Sequence, residues 1–169
     1  MKVVIDFGHG VGSDRGAQGL QSEESMINAT GAKVVELLKA KGHQVLLVRP
    51  SNAKTVGDSL KQRVTAANNS NADLYVSIHY NAFNGTAKGS EVFASSEKGK
   101  KYAKAVASNI AKLGYTDRGV KDGSHLYVIK NTSMPAILVE GCFIDNAEDI
   151  ARFNADAIAA AIVEGVTNC

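Results

Sequence analysis

The sequence predicts an α/β fold: a single domain on a mostly parallel, twisted β-sheet, with helices flanking both faces. Three observations predict it. Short apolar runs alternate with longer amphipathic ones. The short runs are rich in β-branched residues, as strands buried on both faces require. No repeat, low-complexity stretch or internal linker divides the 169 residues, a length that one core can fill.

Val3-Val4-Ile5-Asp6-Phe7 reads as the first buried strand. Ile27, Val34, Val35, Leu37 and Leu38 recur near helical spacing. They predict a helix over about 24–41, with Gly42 as its stop. Val45-Leu46-Leu47-Val48 is the second strand, and Asp58 is expected to cap a helix running to about Asn69. Leu74 to Ile78 and Ser90 to Ala94 are the third and fourth strands, and a helix follows over about 97–113. Leu126 to Ile129 and Ala136 to Val139 are predicted strands, and an Ala- and Ile-rich helix over about 147–165 closes the domain.

Composition narrows the function classes. Hydrophobic residues make up 44% and charged residues 21%, with only 2 prolines, which is globular rather than disordered composition. The 19 Lys and Arg against 17 Asp and Glu leave a net charge of +2, without the basic excess of a general nucleic-acid binder. No nucleic-acid partner is expected. No run approaches the roughly 20 apolar residues of a membrane helix, so no membrane insertion is expected either. The start, Met1-Lys2-Val3-Val4-Ile5-Asp6, lacks the apolar region and cleavage site of a signal peptide. Cys142 and Cys169 are too few for a disulfide framework or a four-cysteine zinc site. They read as free thiols in a reducing compartment, and the sequence does not say whether they pair.

In sheets of this kind sites gather at the carboxyl ends of strands, and polar residues stand there. His9 follows the first strand, His79 the third, and Glu140 ends the late apolar strand. Glu23 and Glu24 open the first long helix, where the helix dipole favours an ionised carboxylate. Two imidazoles and a carboxylate are a zinc ligand set that leaves a fourth position for water. A second carboxylate nearby suits proton transfer from that water to a leaving amine, and Glu140 is the right kind of residue. A histidine or glutamate at a strand end is equally at home in a hydrogen bond or a salt bridge, for Glu140 with Arg49 or Arg63.

Other chemistries fit less well. Gly8, Gly10 and Gly12 follow a strand, but the dinucleotide fingerprint would need its third glycine where Ser13 stands. No Gly-x-Ser-x-Gly elbow occurs. Cys142 would share a face with Glu140 along an extended strand, yet a lone cysteine is ordinarily a small buried residue.

At these residues the sequence resembles the zinc-dependent N-acetylmuramoyl-L-alanine amidases of the type 3 family, catalytic domains of phage endolysins and bacterial autolysins. The resemblance runs through Ile5-Asp6-Phe7-Gly8-His9-Gly10, Asp14-Arg15-Gly16-Ala17, and Glu24 with Asn28 four residues on. It continues through Leu60-x-x-Arg63-x-x-x-Ala67-Asn68, Ser77-Ile78-His79-Tyr80-Asn81-Ala82, Gly89-Ser90-Glu91, and Leu138-Val139-Glu140-Gly141-Cys142-Phe143-Ile144. Each stretch alone is a weak signal; together and in order they are specific.

The resemblance implies that His9, Glu24 and His79 hold one Zn²⁺ and that Glu140 is the catalytic carboxylate. Glu24 is chosen over Glu23 by its distance to Asn28. The implied reaction cleaves the amide between N-acetylmuramic acid and L-alanine of the peptidoglycan stem. Asn81 and His125 are candidates for contacting substrate. Residues 1–169 are then expected to be one zinc amidase catalytic domain with no wall-binding domain, which the full-length protein would carry separately. The expected setting is the cell wall, reached by release from the host cytoplasm as for an endolysin, or by secretion with a leader. The alternatives are a non-catalytic wall-binding domain on the same fold, or another zinc hydrolase of wall peptides or sugars.

Overall fold

Strand β1 (Lys2–Phe7) lies inside a six-stranded sheet in the computed structural model, which describes residues 1–168. In chain order follow α1 (Glu23–Ala40), β2 (Gln44–Leu47), α2 (Val56–Asn68), β3 (Leu74–Asn81), β4 (Ser90–Ala94) and α3 (Glu97–Ala111). Then come β5 (Asp117–Asp122), α4 (Tyr127–Asn131), β6 (Ala136–Phe143), α5 (Ala147–Arg152) and α6 (Ala155–Thr167). The strand order is β2-β1-β3-β6-β4-β5. Every pairing is parallel except β4 with β6.

That exception follows from the β3–β4 connection. It contains no helix, so the chain cannot return to the bottom of the sheet before it re-enters, and β4 runs downward. β4 and β5 therefore present their amino ends at the edge where β1, β3 and β6 present their carboxyl ends.

Alternation along the strands sorts the core into two layers. Val3, Ile5, Val76, Ile78, Ile137 and Val139 pack against α1, α3 and α6. Val4, Tyr75, Ala136 and Leu138 face the other way, toward Val64 and Ala67 of α2 and Val128 and Ile129 of α4. Each fully buried Val or Ile contributes about 1.5–3 kcal/mol.

Three expectations need correction. Leu126–Ile129 is not a strand. Its apolar residues lead into and form the short helix α4, which lays Val128 and Ile129 on the sheet. The real strand is Asp117–Asp122, a largely exposed edge strand whose polar sequence carries no apolar run. The last predicted helix is two: Asn154 interrupts it and caps α6, its side chain accepting from the Ala157 N–H. α2 begins earlier than expected, capped by Thr55, whose hydroxyl accepts from the Asp58 N–H at 3.1 Å. Cys142 is a free, buried thiol, while Cys169, and any pairing with it, lies outside the described residues.

Candidate active site

The site grows from the edge where β1, β3 and β6 end. β1 leads into Gly8-His9-Gly10. A Cβ on Gly8 would run into the His79 ring, so glycine alone lets the two segments approach this closely. His9 then takes φ 52°, a left-handed conformation that an L residue enters at a cost.

Two arginines hold that turn. Arg49 donates from Nε to the Phe7 carbonyl at 2.9 Å and from Nη2 to the Gly8 carbonyl at 2.8 Å. Arg63, 1% exposed, donates to the Phe7 carbonyl at 2.6 Å and to the His9 carbonyl at 2.9 Å. Asp6 and Asp14 balance its charge at 2.5 and 3.3 Å. Asp6 also accepts from the Tyr75 and Ser77 hydroxyls.

Asp14 extends the network to His9. Its Oδ1 lies 2.8 Å from His9 Nδ1, and its Oδ2 accepts from the Ser59 hydroxyl at 2.7 Å. Burial opposes its charge, but the Ser59 and His9 hydrogen bonds prevail and hold the carboxyl below its ordinary value. With Nδ1 engaged, His9 is left to offer Nε2.

α1 opens with Ser22, whose hydroxyl accepts from the Ser25 N–H. Glu23 follows, buried. Its Oε2 accepts from the Ala17 N–H at 2.8 Å. Its Oε1 lies 3.3 Å from His79 Nδ1 and 3.5 Å from His9 Nε2. Burial works against this charge too, yet the His79 and Ala17 hydrogen bonds keep the carboxyl below its ordinary value.

Glu24, the expected partner of the histidines, does not meet them. Successive helical residues point about 100° apart, and Glu24 swings toward the loop. There it accepts from the Gly16 N–H at 3.1 Å and pairs with Arg15 Nε at 2.9 Å. Glu23 takes the place expected of Glu24.

The three groups suit a tetrahedral cation. Their ligand atoms all lie within 4.8 Å of one another. Bonds of about 2.0–2.1 Å around a tetrahedral Zn²⁺ would place its ligand atoms about 3.4 Å apart, close to the 3.3 and 3.5 Å separations from Glu23 Oε1. The Asp14 carboxylate behind His9 is the outer partner that ligating histidines ordinarily have.

Glu140 stands directly opposite His79 in the β3–β6 register. Its Oε2 is buried and has no hydrogen-bond partner among the described residues. Burial pushes this carboxyl up to about 7, with the Glu23 and Glu91 charges acting in the same direction and His79 against it. Neither Arg49 nor Arg63 pairs with it; both serve the β1 turn.

Asn81 lies two residues beyond His79 and donates to Glu91 Oε1 at 3.1 Å. His125 is exposed on the β5–α4 connection, against Phe93 with ring centroids 6.2 Å apart. Cys142 does not share the Glu140 face. A bulge in β6 opposite His79–Asn81 turns it into the α1–α3–α6 layer, where burial pushes its thiol up. A recess of about 170 Å³ opens beside His9 and His79, walled by Leu60, Leu126, Tyr127, Val128 and Leu138.

Sequence reasoning weighed Glu23 but preferred Glu24, and it gave Asp14 no role. The four-residue distance to Asn28 chose Glu24 of the adjacent pair, whereas the helix turns Glu23 toward His79 and His9. Asp14, five residues after His9, could have been singled out as a carboxylate partner for that imidazole.

Comparisons with known proteins identify the family. A family model described as N-acetylmuramoyl-L-alanine amidase matches residues 3–169. The chain is 36% identical over 172 residues to the endolysin of Bacillus phage SPP1, covering 96% of this chain and 62% of that protein. It is 37% identical over 177 residues to the N-acetylmuramoyl-L-alanine amidase LytC of Bacillus subtilis, covering 98% and 35%. Of two further curated relatives, from Clostridium perfringens and Bacillus anthracis, it spans 46% and 30%. Among solved structures, the catalytic domain of the CD27L endolysin targeting Clostridia Difficile superposes with a TM-score of 0.92 at 30% identity, covering 99% and 97% of the two chains. With the family model spanning nearly the whole chain and a catalytic-domain structure superposing on 99% of it, the chain belongs to the N-acetylmuramoyl-L-alanine amidase family.

Proposed function

We propose that the chain hydrolyses the amide between N-acetylmuramic acid and L-alanine of peptidoglycan, with one Zn²⁺ held by His9, Glu23 and His79. The observation that carries the reading is the buried Glu140 oxygen directly across from His79, unpartnered among the described residues. A buried carboxylate without a partner is costly, and it is suited to accept a proton from a reactant. Zn²⁺ bound there supplies a Lewis acid for the scissile carbonyl and makes a neighbouring water easier to deprotonate.

The residues divide the work. Asp14 fixes the His9 ring through Nδ1, and Arg49 and Arg63 fix its backbone. Glu140 accepts the proton of the attacking water and delivers it to the alanine nitrogen as the C–N bond breaks. The lactyl group keeps the new carboxylate, and the stem peptide leaves with a free amine. Asn81 and His125 serve as substrate contacts, Asn81 through the amide hydrogen that Glu91 does not use.

The relatives that extend beyond this chain suggest a whole protein in which a separate segment binds the wall. The endolysin among them suggests action on the cell wall. The test is mass spectrometry of purified peptidoglycan digested by the zinc-loaded protein, with a chelator control. Free stem peptides beginning in unmodified L-alanine, lost on chelation, are expected. Intact glycan–peptide linkages with zinc bound would refute the reading.

A further inference from the structure

The edge strand β5 brings a residue to the site that the mechanism above does not use. Ser90 pairs with Asp117 and Val92 with Val120, so Glu91 of β4 faces two residues of β5, Arg118 and Gly119. The bulge needs its glycine for conformation, not for room: Gly119 has φ +75° and open space where a Cβ would stand. Bulges re-aim side chains beside active sites. Here Arg118 Nε donates to Glu91 Oε2 at 2.9 Å, and its guanidinium carbon lies 5.0 Å from the Phe143 ring centroid.

Glu91 is 6% exposed and held on its other oxygen by Asn81. A structural clamp on a buried carboxylate would ordinarily be a two-pronged guanidinium pair. Arg118 spends one nitrogen only. Its Nη1 and Nη2 have no hydrogen-bond partner among the described residues, and its side chain is 36% exposed. One nitrogen and one ring thus hold the plane, and the outer edge of the fork is presented to solvent.

The position has a direction. His79 pairs with Glu140, and Glu140 with Glu91, so these residues and Arg118 form a row across four strands. Adjacent strands are about 4.8 Å apart, which puts the β5 backbone about 10 Å beyond Glu140, with the Arg118 side chain leaning back. One residue of extended peptide spans about 3.5 Å. The sugar's only carboxyl is consumed in the scissile amide, so carboxylates of the substrate lie on its peptide.

We propose that Arg118, braced by Glu91 and Phe143, binds a carboxylate on the substrate residue that follows alanine. The inference rests on the amidase reading. It makes the row a track for the leaving peptide, with specificity for an acidic stem over its amidated form.

The test uses zinc-loaded Glu140→Gln protein, which binds without turnover, and two muramyl-L-alanyl ligands. They differ only in whether the next residue carries a free carboxylate or a carboxamide. Calorimetry is expected to show the acid bound about tenfold more tightly. Arg118→Gln is expected to bring the two ligands within about twofold, and Arg118→Lys, which keeps the charge beside Glu91, to retain part of the preference. In the otherwise wild-type enzyme the loss falls on KM for the acid.

Equal binding of acid and amide by the Glu140→Gln parent overturns the proposal with no mutation of Arg118 involved, and so does equal weakening of both by Arg118→Gln. Wild-type cleavage of both ligands without acid preference sinks Arg118 recognition and leaves the amidase reading standing. Cleavage of neither, with zinc bound, removes both.

Discussion

The carboxyl ends of β1 and β6 carry polar groups to the same centre but treat them in opposite ways. At the end of β1, His9 is over-determined: three successive backbone carbonyls are held by two arginines, and its Nδ1 by Asp14. Within β6, just before its bulge, Glu140 leaves one buried oxygen with no partner among the described residues. In the proposed reaction the metal ligand must not move, whereas the proton carrier must keep a lone pair free. The contrast suggests which groups belong to scaffold and which to chemistry.

The sharpest way to break the contrast is to neutralise the free carboxylate. Glu140→Gln is expected to cut turnover about 10²–10⁴-fold while zinc content, read by atomic absorption, stays near one per chain. Wild-type turnover would remove Glu140 from the mechanism.

Next in size is the adjacent-glutamate comparison. Glu23→Gln is expected to lose zinc and with it activity. Glu24→Gln, which loses the charge paired with Arg15 but keeps an oxygen for the Gly16 N–H, is expected to keep zinc. Zinc loss in Glu24→Gln alone would reverse the assignment.

The scaffold side is tested by Arg63→Met. Removing the buried cation leaves Asp6 and Asp14 uncompensated, and urea unfolding is expected to show a loss of about 3–5 kcal/mol. A loss within about 0.5 kcal/mol would mean that the network is not holding the β1 turn.

A milder change, Asp14→Asn, is expected to weaken zinc affinity about 10–100-fold in a chelator competition. Unchanged affinity would make the His9–Asp14 contact incidental to metal binding. The smallest effect is expected at Cys142. Burial in the α1–α3–α6 layer should leave the thiol unreactive toward an alkylating reagent in the native protein, with labelling only on unfolding. Rapid native labelling at Cys142, located by peptide mapping, would contradict its packing.

What the sequence made legible was whatever carried a period or a strand end. Buried strands such as Val3–Phe7 and Leu74–Ile78 announce themselves by apolar runs, and His9, His79 and Glu140 stand just where those runs stop. β5 was illegible for the converse reason: Asp-Arg-Gly-Val-Lys-Asp offers no apolar period to an edge strand exposed along most of its length. Its absence hid Arg118. The rule that sites lie at carboxyl strand ends also left Glu91 without a role, although its motif was matched, since β4 reaches the site by its amino end. Glu23 was lost to a different limit. A choice between neighbours at a helix start depends on the helix's rotation about its axis, which the hydrophobic pattern sets only loosely.

The left-handed turn at His9 also constrains how this site would be lost over generations. Besides His itself, Asn, Asp and Gly enter that backbone more readily than other residues. A lineage released from hydrolysis would therefore drift at position 9 through those three first, because a β-branched or bulky replacement would strain the loop before it altered any chemistry. In such a descendant, an asparagine or glycine between Gly8 and Gly10 would be the fossil of the proposed metal ligand on an otherwise intact scaffold, rather than the mark of a separate origin.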